Sequence, residues 1–176
     1  GDPEADLSRY LDTEKDLDSW DNPVFQAHHV LELQRNNEWK RFFEYLTFDA
    51  WGRRFELTVP RLLGFFAAAH CELVKRYMEV FLRRLDLAGG AVFWMYNNAF
   101  PMMGWAMVDY YGTPKDVWYA MKRVCNPHQP VIAVYDDRID FYLANTAGEK
   151  AHGRFTGQIR RFDGTVLAEV QAGCEA

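Results

Sequence analysis

Apolar residues recur along this chain with two different spacings, and the change from one to the other divides it. In the first part the period is helical. Thr58 precedes Val59-Pro60, a proline tolerated in a first helical turn, and Leu62, Phe65, Phe66, Ala69, Leu73, Tyr77, Phe81 and Leu85 trace one stripe. Glu72 with Arg76 and Glu79 with Arg83 are acid-before-base pairs at i, i+4 on the polar side. Gly89-Gly90 closes the helix, predicting a rod of roughly 45 Å at about 1.5 Å per residue. Upstream, Leu7, Tyr10 and Leu11 suggest one or two helical turns, which Asn22-Pro23 breaks. Trp39, Phe42, Phe43 and Leu46 predict a short helix capped at Asn36 or Asn37.

The period then shortens. Ala91-Val92-Phe93-Trp94-Met95-Tyr96 is a continuous apolar run between glycines and an Asn pair, the pattern of a strand buried on both faces. A long helix feeding such a strand is half of a βαβ-type unit. Residues 97–104 read as a loop, 105–109 as a short extended stretch and 110–114 as a turn. A helix of about ten residues follows through Val117, Tyr119, Ala120 and Val124. Asn126-Pro127-His128-Gln129-Pro130 reads as a domain boundary. Beyond it, strands are expected at 131–135, at Ile139, Phe141 and Leu143, at 154–162 and at 165–170, with turns at Asp136-Asp137 and Asp163-Gly164. The expected division is therefore 1–125 and 131–176. A sandwich usually needs about seven strands, so the second domain is expected to be truncated.

Composition narrows this only in places. Of 176 residues, 28 are aromatic, which favours a large core, a stacking surface for sugar or base, or both. The net charge of −5 is unevenly spread: the first 25 residues hold eight acids and two bases, or −6, and the remainder is +1. The near-neutral remainder carries no electrostatic footprint for nucleic acid, and no apolar run approaches the roughly 20 residues of a membrane span. Cys71, Cys125 and Cys174 are too scattered for a disulfide framework and allow one pair at most. Neither compartment nor oligomeric state is legible.

Candidate chemistry concentrates between Trp94 and Trp105. Trp94, Tyr96, Asn97, Asn98, Phe100 and Trp105 fall within twelve residues. A sugar presents an apolar C–H face that rings pack and a rim of hydroxyls that amides bond. The same residues also read as core aromatics followed by ordinary turn chemistry. His28-His29 and His70-Cys71 are adjacent pairs, and adjacent side chains on a regular element do not aim at one ion, so no metal is expected. Nor is any cofactor: there is no nucleophile elbow, phosphate-binding loop or dinucleotide fingerprint. Asp109 is expected to tie a turn.

The block Phe93-Trp94-Met95-Tyr96-Asn97-Asn98-Ala99-Phe100-Pro101, with Trp105, Asp109-Tyr110-Tyr111-Gly112, Pro114-Lys115 and Tyr119-Ala120-Met121-Lys122-Arg123, resembles family 2 glycoside hydrolases. It is most similar to their β-mannosidase and exo-β-glucosaminidase branch. There the last barrel strand reads Trp-x-x-Asn-(Asp or Asn)-x-Trp-Pro, followed by Trp-x-x-x-Asp-Tyr-Tyr and Pro-Lys. His28-His29, the long helix before the strand, and the Asn126-Pro127-His128 exit into an immunoglobulin-like sandwich extend the resemblance from about residue 7 to 170. Phe100 departs from the usual Trp. Asn98 stands where many β-mannosidases carry Asp, which leaves the sugar open.

The resemblance implies an α/β then all-β chain: the last helix-strand-helix portion of a (β/α)8 TIM barrel, followed by a partial immunoglobulin-like β-sandwich. It implies retaining exo-β-glycosidase chemistry on an oligosaccharide or glycoside, with two glutamates whose carboxyls lie about 5–5.5 Å apart. In the family these end strands four and seven. This sequence is expected to begin after strand seven, and neither Glu4 nor Glu14 has the Ser-Glu-(Tyr/Phe)-Gly context of the nucleophile. No catalytic residue is therefore assigned. Trp94, Asn97, Asn98, Phe100 and Trp105 are the expected substrate-binding residues, the upstream part of the same polypeptide the expected partner, and the chain alone is expected to be inactive. Two rival readings are a stand-alone glycan- or protein-binding module, which must fold autonomously as a monomer, and a purely structural interaction domain.

Overall fold

The computed structural model describes residues 59–102 and 104–175. The acidic leader, the helix expected near Trp39 and the His28-His29 pair lie outside them. Two helices and two antiparallel hairpins make up the regular structure of the described residues: α1 (Val59–Leu82), α2 (Asp116–Val124), β1 (His128–Val134), β2 (Ile139–Asn145), β3 (His152–Arg160) and β4 (Val166–Glu175). They fall into two compact units. One holds the described residues up to Tyr77 together with Val92–Arg123, and the other holds Met78–Ala91 and Val124–Ala176.

α1 carries its buried stripe through Phe66, Ala69, His70 and Val74, on the expected helical spacing. The stripe does not continue as the pattern implied. Tyr77, Phe81 and Leu85 are exposed, and the helix ends at Leu82, so Leu85 lies in the turns that follow. Those turns close through Arg84 N–H to the Phe81 carbonyl at 2.9 Å and Ala88 N–H to the Arg84 carbonyl at 2.7 Å. Of the two expected ion pairs, Glu72–Arg76 forms at 2.8 Å. Arg83 directs its guanidinium elsewhere, to the Glu79 backbone carbonyl at 3.3 Å and the Tyr135 hydroxyl at 3.0 Å.

The apolar run 91–96 is not a laddered strand, a correction to the sequence reading. Val92, Trp94 and Tyr96 are 96%, 81% and 60% exposed, whereas Phe93 and Met95 are half-buried. The alternation is that of an extended segment with one covered face. Among the described residues only its end is paired. Val108 N–H donates to the Tyr96 carbonyl at 3.0 Å and Asn98 N–H to the Val108 carbonyl at 3.1 Å, around a parallel Asn97–Val108 bridge. Val108 in turn bridges Pro114 in the antiparallel sense. A buried parallel strand requires a ladder along its length, and none of the described residues supplies one here.

α2 matches its expected extent. Val117, Ala120 and Val124 are buried on one face, Asp116 sits in the first turn, and Lys122 and Arg123 sit in the last, each sign complementing the helix dipole.

In the second unit both hairpins form around the expected turns. Tyr135 N–H donates to the Arg138 carbonyl at 2.8 Å across Asp136-Asp137. Arg161 N–H donates to the Thr165 carbonyl at 2.9 Å across Asp163-Gly164, where Gly164 takes a φ of 90° that a side chain would disfavour. The bounds shift by a few residues. β1 starts at His128, and Pro130 is accepted inside it because, opposite Leu143, it falls on the alternation at which a backbone N–H points away from β2. β3 and β4 cover 152–160 and 166–175, with an irregularity at Ile159–Arg160.

Register puts the apolar residues in rows. Ile132 pairs with Phe141 and Val134 with Ile139 on one face of the first hairpin. Phe155–Ala172, Gly157–Val170 and Ile159–Ala168 form a row on the second. The Phe141 and Phe155 rings meet at 5.0 Å, so these two faces oppose each other.

Candidate functional site

The stretch from Trp94 to Lys115 is held by side chains more than by regular structure. Asn98 is only 1% exposed. Its amide nitrogen donates to the Met102 carbonyl at 2.9 Å, closing the loop 98–102, and its own backbone carbonyl accepts from the Asn97 amide at 3.2 Å. The Oδ1 atom of Asn98 is buried with no partner among the described residues. Further along, Asp109 ties its turn as expected. Its carboxylate accepts from Thr113 N–H at 2.7 Å, and Gly112 takes a φ of 87°. Lys115 closes the other side, donating from Nζ to the Gly104 carbonyl at 2.9 Å and from its backbone N–H to the Met107 carbonyl at 2.9 Å.

The alternation along 91–96 sends the aromatic residues two ways. Trp94 and Tyr96 face outward, and Tyr96 meets the edge of Trp118 on α2 at 6.1 Å. The peptide between Trp94 and Met95 is cis. Phe93 faces inward and stacks on His70 of α1 at 6.2 Å. His70 also meets Phe66 at 5.8 Å and the edge of Trp105 at 6.3 Å. The five residues expected to bind substrate therefore have different environments. Trp94, Asn97 and Phe100 are presented to solvent, Asn98 lies inside the loop, and Trp105 is half-buried against His70.

His70 is 2% exposed. Burial first, and then the nearby Lys115 ammonium, hold its imidazole down at about 3, so it is neutral at any ordinary pH. On the sequence it stood out only as a neighbour of Cys71. Burial, with Asp116 adding to it, pushes the Cys71 thiol up to about 11, and a thiol that stays protonated is a poor ligand and nucleophile. Among the described residues no cluster of three or more His, Cys, Asp or Glu could hold a metal ion.

Chemically, the exposed residues of this stretch include an indole, Trp94, and an amide, Asn97, whose nitrogen donates to the Asn98 carbonyl. An amide bonds vicinal hydroxyls with both ends, and an indole face packs apolar C–H groups.

A 39-residue segment is 49% identical to β-mannosidase B of Aspergillus niger and 46% identical to that of Emericella nidulans. Over that segment the chain is related to the β-mannosidases. The match covers 22% of this chain and 5% of each of those curated relatives. In structure, the crystallographic β-D-mannosidase of Dictyoglomus thermophilum superposes with a TM-score of 0.71 at 15% identity, over 98% of this chain and 21% of that one. That likeness shows a shared fold: the two helices and two hairpins match part of a β-mannosidase. No family model matches the chain.

Proposed function

We propose that this chain is the segment of a retaining exo-β-glycosidase, β-mannosidase-like, that walls the pocket for a terminal β-linked sugar of an oligosaccharide. It supplies substrate contacts and not the two catalytic glutamates. The observation that carries this is the outward face of 92–96. There a Trp and a Tyr stand exposed on an extended segment that, among the described residues, is paired only at one end, with Asn97 next in line. An isolated domain rarely leaves such a row in water. In this reading 1–125 is the closing helix-strand-helix portion of a (β/α)8 barrel, and upstream barrel strands of the same polypeptide flank 91–96. Residues at the C-terminal ends of barrel strands line the active site, which is where Trp94, Asn97 and the loop after them fall.

Within the pocket, Trp94 packs the C–H face of the cleaved sugar and Asn97 bonds its hydroxyls, while Phe100 and Trp105 shape the rim. Asn98 belongs to the same set. Its amide shapes the loop through Met102, and its buried oxygen is the acceptor that a sugar hydroxyl reaches if the loop opens on binding. Residues 131–176 are the first strands of an immunoglobulin-like sandwich, a reading supported by the opposed Phe141 and Phe155 faces.

The test is the intact mass of the native polypeptide, joined to activity. The expected result is a mass several times 20.6 kDa, with hydrolysis of a nitrophenyl β-mannoside or β-glucosaminide by the native protein and none by the 176-residue chain. A native mass of 20.6 kDa, or turnover by the purified chain alone, overturns the assignment.

A further inference from the structure

His70 occupies a place that its chain neighbours do not explain. It sits on the buried stripe of α1 where helical periodicity calls for an aliphatic residue, and it is surrounded by rings. Phe66 lies one turn back on the same helix at 5.8 Å, Phe93 of the extended segment stacks at 6.2 Å, and Trp105 presents its edge at 6.3 Å. The interplanar angles are 30° to Phe93 and 84° to Trp105, one stacked contact and one edge contact on the same imidazole. Aromatic pairs prefer these two geometries over others, so a flat ring here selects an orientation for each neighbour, which an aliphatic side chain of equal volume does not do.

What His70 orients matters because of chain order. Phe93 immediately precedes Trp94, and alternation along an extended segment ties the direction of Trp94 to that of Phe93. Trp105 ends the loop that Asn98 and Lys115 close. One side chain on α1 therefore touches both ends of the stretch carrying the five substrate-binding residues.

We propose that His70 is a positioning residue of the sugar pocket, its flat ring setting the orientation of Trp105 directly and of Trp94 through Phe93. The pocket itself is the one assigned above and the inference rests on that reading; the placement of the two indoles can be tested without any sugar.

The experiment labels the native polypeptide carrying this sequence with 5-fluorotryptophan and follows its fluorine resonances, those of Trp94, Trp105 and Trp118 being assigned by single Trp→Phe substitutions. Three variants are compared: His70→Leu keeps a buried apolar side chain without a ring, His70→Phe restores a ring, and His70→Ala removes both. The expected result is displacement of the Trp105 and Trp94 resonances in His70→Leu, return towards the parent positions in His70→Phe, and little change at Trp118. If His70→Ala does not fold, the Leu and Phe pair still decides. Equal spectra for Leu and Phe overturn the proposal, as does a shift of Trp118 as large as that of Trp105, which marks general loosening. Absence of glycoside hydrolysis by the unsubstituted native protein is a separate result, and it counts against the pocket assignment.

Discussion

The loop from Asn97 to Lys115 and the two hairpins beyond His128 solve the same problem in opposite ways. Each must satisfy backbone polar groups without a helix. In the hairpins the ladder does this, residue against residue, and their polar faces carry only surface pairs such as Lys150–Glu175 at 3.3 Å. In the loop there is no ladder among the described residues. Single backbone bonds, such as Asp109 N–H to the Thr113 carbonyl and Lys115 N–H to the Met107 carbonyl, both at 2.9 Å, share the task with three side chains: the Asn98 amide on Met102, the Asp109 carboxylate on Thr113 and the Lys115 ammonium on Gly104. A ladder tolerates most substitutions because its bonds are backbone to backbone. A loop tied by three named side chains does not, and such construction suits a segment that must present rings and amides at defined positions.

Acid breaks this comparison most strongly. The His70 imidazole has an ordinary value of 6.5 and sits at about 3 in the folded chain. Between those values the unfolded chain binds a proton that the folded chain excludes. The stabilisation from a neutral His70 is thus complete above about pH 6.5 and is lost as pH falls towards 3, at up to about 1.4 kcal/mol per pH unit. Urea melts across this range are expected to show a steeper acid loss for the parent than for His70→Phe. Parallel curves refute it, since carboxylate titration is common to both.

The next effect in size is Asn98→Ala. It removes the donor to Met102 and leaves a buried carbonyl unsatisfied, at about 1–3 kcal/mol. Hydrogen exchange is expected to rise in 97–108 and to stay unchanged in the hairpins. Uniform exchange across both regions shows that the loop is not separately held.

The smallest expected effect lies in the hairpins. A Cβ on Gly157 meets the Phe141 ring at 2.8 Å and Val170 Cγ1 at 3.2 Å. The Phe141 atoms are the far end of a partly exposed ring that can swing away, and Val170 has only to give by a few tenths of an ångström, so Gly157→Ala is expected to cost about 1 kcal/mol, the low end of overpacking. A thermal melt gives the cost, and loss of the Phe141–Phe155 contact by NMR identifies its source. A cost of several kcal/mol shows that the two hairpin faces are locked more tightly than the exposed Ile132 and Val134 beside them imply.

Local elements were legible in the residues because their causes are local. Asp163-Gly164 needs only a glycine at φ 90° and an aspartate accepting from Thr165 N–H at 2.8 Å. The second helix needs only Val117, Ala120 and Val124 at helical spacing. The first helix was recognisable too, but not its end at Leu82 or the exposure of Tyr77 and Phe81, since a stripe records which face is apolar and not what covers it. For the same reason the run at 91–96 promised a strand, whereas pairing depends on neighbours distant in the chain.

Within the candidate site, the sequence by itself singled out the turn at Asp109. Tertiary structure alone decided that Trp94 faces outward, that Asn98 turns in to Met102, and that His70 is a buried neutral ring between Phe93 and Trp105. Side-chain direction and protonation state depend on what lies across from a residue, and the spacing of residues along a chain does not encode that.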